Sequence, residues 1–394
     1  MVRRHYILRL RIWIIRAAFA LARELPIRPR VVLATAHIHA IRGNLAAIEA
    51  EIERRGIDMP VVTLIHDAQP GWMGRILGLT QSVRAAYLLA TSALFVVDSH
   101  YVPIYVIRPR PGTTIVQTWH ACGAIKKIGY SVLDKSFGAD EVMTNLIQLH
   151  TNYTVCLAAS HAAVVQYIDA FRQPAERFVT RLGIPRTDVL IRTEGREALV
   201  SAIRERYAIP IGRRVILYAP TFRGESMTKA RHPEDLDLRL MARSLVEDHV
   251  LLLRLHPAVR AEMPIDASLA GFAIDVSDYP EVNELMLVSD FLVTDYSSVI
   301  FEFALLDRPM AFFAPDTSAY DDERGFYFDY RAGVPGPVFE TTGDLVDYLH
   351  AGAFDLERVR RFAATWFDVA DGHASERFFD RIVRPALAGK PIEV

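Results

Sequence analysis

The sequence predicts an α/β protein made of two Rossmann-like, doubly wound parallel-sheet domains facing a central cleft. Three observations carry this expectation. Short continuous apolar runs alternate with helical patterns, as in sheets covered on both faces. The alternation breaks near Gly183-Ile184-Pro185-Arg186 and then restarts. The chain has 394 residues, 51% apolar and 23% charged, enough for two domains with cores of their own and incompatible with a disordered chain.

The first segment, residues 1–28, is a basic amphipathic helix. Residues 1–30 carry eight arginines against one acid, Glu24. Arg9, Arg16 and Arg23 recur every seven residues and fall on one helical stripe among large apolar residues such as Ile12, Trp13 and Phe19. The longest uncharged run, Ala17–Ala22, is too short to cross a bilayer, which needs about 20 apolar residues. Arg16 also splits the apolar region that a signal peptide requires. The pattern fits a helix lying in an anionic membrane surface, at the cytoplasmic face of the cell membrane. A helix packed on the body of the protein is the alternative.

Residues 29–187 read as the first Rossmann-like domain. Val31-Val32-Leu33-Ala34, Val61–Ile65, Leu94–Val97, Thr114–Thr118 and Thr154–Ala158 are its strands, and Asn44 is placed to N-cap a helix over Leu45–Arg55. Residues 188–350 read as the second. After a polar helix over Thr193–Tyr207 come strands at Val215–Tyr218, Leu251–Leu255, Phe272–Val276, Phe291–Thr294 and Met310–Phe313. Residues 351–394 are expected as helices packing back across the domains. A net charge of −2 argues against nucleic acid as a partner. Two cysteines, Cys122 and Cys156, rule out a disulfide framework and fit a reducing cytosol.

Ligands in such sheets sit at the carboxyl ends of strands, and the chemistry-bearing residues cluster there. After Phe291–Thr294, Ser297 or Ser298 can start a helix whose free N–H groups and hydroxyls suit a diphosphate. Glu302, one turn on, could accept from ribose hydroxyls, although the same pattern also describes an ordinary capped helix. Leu253-Arg254-Leu255-His256-Pro257 puts a guanidinium and an imidazole at another strand end, a pair that suits a phosphoryl group. Tyr218-Ala219-Pro220-Thr221-Phe222-Arg223 adds a hydroxyl and a cation at a third. In the first half, Thr118-Trp119-His120-Ala121-Cys122-Gly123 follows a strand, and a neutral histidine there is a fitting general base for a hydroxyl nucleophile.

These motifs together resemble the CDP-glycerol glycerophosphotransferases, which build teichoic acids and related phosphate-linked polymers. The resemblance runs from about Val31 to Ser375. It takes in Gly43-Asn44, Gln117–His120, Gly183–Arg186, Leu217–Arg223, Arg254–Pro257 and Thr294–Ser298, then Asp307–Met310, Arg324–Asp329, Pro335-Gly336-Pro337 and Asp371–Ser375. It implies a GT-B fold, transfer of glycerol phosphate or a related polyol phosphate from a CDP-linked donor to a hydroxyl of a lipid-linked acceptor, and release of CMP. It also implies that Trp119, Ala121, Cys122, Gly123, Arg186, Thr221, Phe222, Arg254, Leu255, His256, Ser297, Ser298 and Glu302 contact the donor. His120 is then the base and His256 a second essential histidine. Better-known members read Trp-His-Gly-Thr-Pro where this chain has Trp119-His120-Ala121-Cys122-Gly123, and many carry Asp where it has Glu302. The polyol is accordingly left open among glycerol, ribitol and others. The chain carries no long region ahead of the first α/β half, which implies a compact enzyme adding one or a few units. A glycosyltransferase using a nucleotide sugar on the same fold, and a silent scaffold of a polymer-assembly complex, are the rival readings.

Other candidates carry less. His37 and His39 have no third partner in sight for a metal, and none is expected. Asp235-Leu236-Asp237 lies in a charged stretch and reads as solvated. Lys126 and Lys127 suit either an anionic acceptor or plain solvation, and Cys122 reads as a small residue rather than a nucleophile.

Overall fold

Val31, Val32, Leu33 and Ala34 have no solvent exposure, as a strand covered on both faces requires. They form the heart of β1 (Arg28–Thr35) in a computed structural model that describes residues 2–36, 40–66, 71–133, 135, 141–224, 232, 233, 235–255, 259, 265 and 267–392. Two units make up the chain. The described residues of 1–120, 139–188 and 368–394 form the first, and those of 121–138 and 189–367 the second.

The first unit is built on a parallel sheet in the order β2-β1-β3-β4-β5-β6. Besides β1 it comprises β2 (Val61–Ile65), β3 (Ser92–Val97), β4 (Thr114–Gln117), β5 (Val155–Leu157) and β6 (Phe178–Val179). The last of these is only two residues long, too short to leave an apolar run in the sequence. The strand order reverses between β1 and β3, so a crevice is expected at their carboxyl ends. Three helices matter here: α1 (Val2–Ala22), α2 (Gly43–Arg54) and α3 (Gly71–Thr91). Helix α1 packs on α3, and its buried residues Ile12, Ile15, Phe19 and Ala22 follow the helical repeat. Another face leaves Tyr6, Ile7, Leu10, Trp13 and Leu21 exposed. The stripe arginine Arg16 donates to the Val106 carbonyl at 2.8 Å. Among the described residues no helix is long and apolar enough to cross a membrane.

The second unit has the order β12-β11-β10-β7-β8-β9 in a second parallel sheet. Its strands are β7 (Arg214–Tyr218), β8 (His249–Leu253), β9 (Ala273–Asp275), β10 (Phe291–Thr294), β11 (Met310–Phe313) and β12 (Val338–Phe339). Counted within the unit this is 3-2-1-4-5-6, the dinucleotide-fold order, with its switch point between β7 and β10. Its core joins Ile216, Leu251, Leu253 and Val293 of the sheet to Met241, Leu245, Leu345 and Leu349 of the covering helices, all essentially inaccessible to solvent. Strand β8 ends at Leu253, two residues short of the expected Leu255. Arg254 and Leu255 therefore lie in the loop beyond it, where Ser277 holds them: its Oγ accepts from the Leu255 N–H at 2.9 Å and its carbonyl from Arg254 Nη1 at 2.9 Å.

Candidate active site

In the first unit three of the sequence motifs converge on one loop. The Asn44 side chain does not cap α2. The helix starts at Gly43, and the N-cap position is Arg42, without a side-chain cap bond. Asn44 is instead buried, and its Nδ2 donates to the carbonyls of Thr118 (3.2 Å) and Trp119 (2.9 Å). Its Oδ1 accepts from the Arg186 N–H at 3.0 Å, and Arg186 Nη1 donates to the His120 carbonyl at 2.6 Å. A side-chain amide has both donors and an acceptor, so a single Asn can tie two loops at once. Gln117 braces the same loop from below: its Oε1 accepts from the Trp119 N–H at 2.8 Å, and its Nε2 donates to the Ser99 carbonyl and to Tyr153. These bonds hold Trp119 in the left-handed region at φ 53°, which a non-glycine residue adopts only when its surroundings fix it.

His120 is half-buried and stacked on Trp119, ring centroids 4.3 Å apart. Its Nδ1 lies 3.0 Å from the Asp98 carbonyl oxygen. A carbonyl only accepts, so that contact places the ring proton on Nδ1 and leaves the lone pair on Nε2. The Asp98 side chain is itself buried. Burial pushes its carboxyl up to about 6, against the pull of hydrogen bonds from Thr35 and Ser99 and of the Arg186 charge. Trp119 packs against an aromatic group in which His150 stacks on Phe171 at 4.2 Å. Burial holds His150 at about 3 and His100 at about 4, so both are neutral at neutral pH.

In the second unit the loop after β7 and the loop after β10 flank the switch point. Asp295, just past β10, accepts from the Thr221 N–H at 2.8 Å and the Thr221 hydroxyl at 2.9 Å. Arg223 joins it, with Nη1 2.8 Å from Asp295 and Nε 2.6 Å from Asp316, and these two carboxylates hold the guanidinium firmly charged. The cation read in the sequence at this strand end is thus neutralised by carboxylates of its own unit. Arg324 lies 5.2 Å over the Phe222 ring. Ser298 stands at the N-cap of the helix Val299–Ala304, and Ser297 Oγ lies 3.5 Å from the Val299 N–H. Glu302 is buried, 2% exposed. Ala121, Cys122 and Gly123 also belong to this unit. Cys122 is fully buried, and a Cβ on Gly123 would come within 2.7 Å of Phe301. The same segment continues into hydrogen bonds of Lys127 N–H to Gly325 and of Tyr327 N–H to Ile125.

His120, Trp119 and Arg186 thus come together in the first unit, while Thr221, Phe222, Ser297 and Ser298 gather at the switch point of the second, with Arg254 and Leu255 past the neighbouring strand β8. His256 lies outside the described residues, as do His37, His39 and Pro257. Asp237 caps the helix Leu238–Leu245 by accepting from the Leu240 N–H at 2.9 Å. Several resemblance motifs serve the scaffold. Asp188 accepts from the N–H groups of Ala374 and Ser375, Arg377 pairs with Asp371, and Arg308 donates to the carbonyls of Met286, Leu287 and Ser289. Sequence reasoning missed Asp98 and Asp295. Both follow an apolar strand directly, a charged residue at a carboxyl end, and that placement is the signal that marks them.

Comparison with known proteins adds to this geometry. The profile of the family described as CDP-Glycerol:Poly(glycerophosphate) glycerophosphotransferase matches residues 17–384. The chain is 34% identical over 355 residues to the teichoic acid ribitol-phosphate primase of Bacillus spizizenii, covering 90% of both chains. It is 37% identical over 309 residues to the teichoic acid poly(ribitol-phosphate) polymerase of that species, across 78% of this chain and 49% of that one. In three dimensions it is similar to the wall teichoic acid polymerase TagF, with a TM-score of 0.79 at 23% identity, covering 98% and 97% of the two chains. That likeness is one of fold, and the fold is GT-B-like.

Proposed function

The chain belongs to the CDP-glycerol:poly(glycerophosphate) glycerophosphotransferase family and is a transferase, and from that premise we propose that it moves glycerol phosphate, or a related polyol phosphate, from a CDP-linked donor to a hydroxyl of a lipid-linked saccharide or polymer. CMP is released, and the setting is the synthesis of teichoic acid or a similar cell-surface polymer. The reaction is a direct in-line displacement. The acceptor oxygen bonds to the β-phosphorus of the donor, the bond from that phosphorus to the bridging oxygen breaks, and CMP leaves with that oxygen.

His120 is the base in this reading. The observation that carries the role is the 3.0 Å approach of its Nδ1 to the Asp98 carbonyl, which fixes the ring and makes Nε2 the basic nitrogen. Asn44, Gln117 and Arg186 hold the loop so that the imidazole starts in position. The second unit supplies the donor site. Arg254 and the hydroxyls of Ser297 and Ser298 meet the diphosphate, with His256 assigned to the same charge, while Thr221, Phe222, Leu255 and Glu302 shape the nucleotide pocket. The enzyme works at the cytoplasmic face of the membrane, and the exposed apolar residues of α1 support this.

The test is donor profiling with a panel of CDP-alcohols, reading CMP release. Turnover of CDP-glycerol or CDP-ribitol, without turnover of UDP- or GDP-sugars, is expected. His120→Ala should lose turnover about 10²–10⁴-fold while still binding the donor. A variant that turns over at the wild-type rate would remove His120 from the role of base.

A further inference from the structure

A cavity of about 580 Å³ lies in the first unit, lined by α1, α3 and the segments that follow β1, β2 and β3. Ala36, His66 and His100-Tyr101 contribute from those three strand ends, so the cavity occupies the switch-point position where parallel sheets take ligands. The proposed chemistry does not use it.

Its lining divides into two kinds of surface. Ile7, Leu10 and Ile76 are apolar and exposed, 49%, 59% and 55% respectively. Polar atoms elsewhere in the lining are shut away from solvent and have no hydrogen-bond partner among the described residues: Arg11 Nε, both ring nitrogens of His66, Tyr101 Oη and Gln81 Oε1. Tyr101 is fully buried, and its ring meets that of His66 edge-on at 4.9 Å. Arg11 donates through Nη2 to Ser82 Oγ at 2.8 Å, and among the described residues it forms no salt bridge. Burial pushes its guanidinium below the usual arginine range, the direction expected of a cation withdrawn from water without an anion. Burial and the Arg11 charge together hold His66 at about 4, so at neutral pH its ring offers one donor and one acceptor.

Leaving a buried polar atom unpaired is costly, so several around one cavity point to a ligand that satisfies them. Arg11 Nε–H, Tyr101 Oη–H and one His66 N–H are donors, and Gln81 Oε1 is an acceptor. A carboxylate has two oxygens and no proton to give. A phosphate monoester monoanion has oxygens enough for three donors and a P–OH for Gln81. We propose that this cavity binds a phosphate monoester carried on a single apolar chain, the phosphate at Arg11, His66, Tyr101 and Gln81 and the chain leaving past Ile7, Leu10 and Ile76. None of the four polar residues is assigned a part in the transfer chemistry, and binding requires no donor nucleotide.

The experiment is titration calorimetry of the full chain with decyl phosphate below its micelle concentration, with inorganic phosphate and decanol as the head-only and tail-only arms. Decyl phosphate should bind at least tenfold tighter than either. Arg11→Met should weaken it tenfold or more. Gly78 lines the cavity, and a Cβ there meets nothing within 4 Å, so Gly78→Phe should fill the space and abolish binding with the polar groups intact. If Arg11→Met fails to fold, Gly78→Phe decides alone. Wild type that ignores decyl phosphate, decanol that binds equally well, or Gly78→Phe that binds like wild type overturns the proposal. With no donor nucleotide in the cell, these outcomes are independent of whether the transfer reading holds.

Discussion

Asp98 shows how one residue can serve through its backbone and titrate through its side chain. Its carbonyl sets the His120 tautomer, while its carboxyl sits 4% exposed with a pKa raised to about 6. A carboxyl raised in the folded state stabilises the fold when protonated. That contribution is complete below the unfolded value of about 4 and is lost as pH rises through about 6. Asp98→Asn stays neutral and keeps the carbonyl. Relative to wild type, its unfolding free energy should gain on the order of 3 kcal/mol between pH 4 and pH 7 in urea titrations. A difference that stays constant with pH would contradict the raised carboxyl. Arg254 is the other residue where a single change is informative. Its Nη1 donates to the carbonyls of Leu255 and Ser277, which set the guanidinium at the end of strand β8. Arg254→Ala should cost about 1.5–3 kcal/mol in CDP-glycerol affinity by calorimetry, with its thermal midpoint little changed. Unchanged affinity would move the diphosphate elsewhere.

At the scale of elements, the segment after His120 is fixed by packing rather than by its own propensity. Gly123 lies against the Phe301 edge, and Phe301 in turn packs on Phe362 and Trp366 at 5.3 and 4.8 Å. A methyl group at 2.7 Å from an aromatic ring held on two sides cannot be absorbed without shifting the helix Val299–Ala304. Gly123→Ala should therefore destabilise the protein by about 1–3 kcal/mol. Combined with Phe301→Leu, which clears the space, the two losses should be clearly less than additive in chemical denaturation. Full additivity would show that the two residues do not share the contact.

At the scale of the molecule, α1 answers to two demands. The helix packs on α3 and buries one face at Ile12, Ile15 and Phe19, while another leaves Trp13 65% and Leu21 77% exposed. An apolar helix face of this kind in a basic segment is the surface that a membrane interface would cover. Trp13→Ser with Leu21→Ser alters only that face. The double variant should sediment less with phosphatidylglycerol vesicles than wild type while melting at the same temperature. Equal sedimentation would mean that the exposed face plays no part in the proposed membrane association.

Composition and periodicity alone determined that this is an α/β chain with two parallel sheets, because a strand buried on both faces must be continuously apolar. Val31–Ala34, Leu94–Val97 and Phe291–Thr294 could be read that way and stand as β-strands. The family was legible too, since motifs such as Trp119-His120 and Thr294–Ser298 are local strings in a fixed order. Tertiary structure decided what local strings cannot carry. Asn44 looked like a cap, but its amide reaches residues 74 and 142 positions away, and sequence spacing gives no measure of such contacts. Arg223 looked like an open cation until Asp295 and Asp316 closed on it from other loops. The same holds for the switch points, which depend on strand order, and for the described residues of 121–138 and 368–394, whose unit is set by packing and not by their place in the chain. A sequence records which side chains a residue has beside it along the backbone; which ones it meets across the fold depends on how the elements pack.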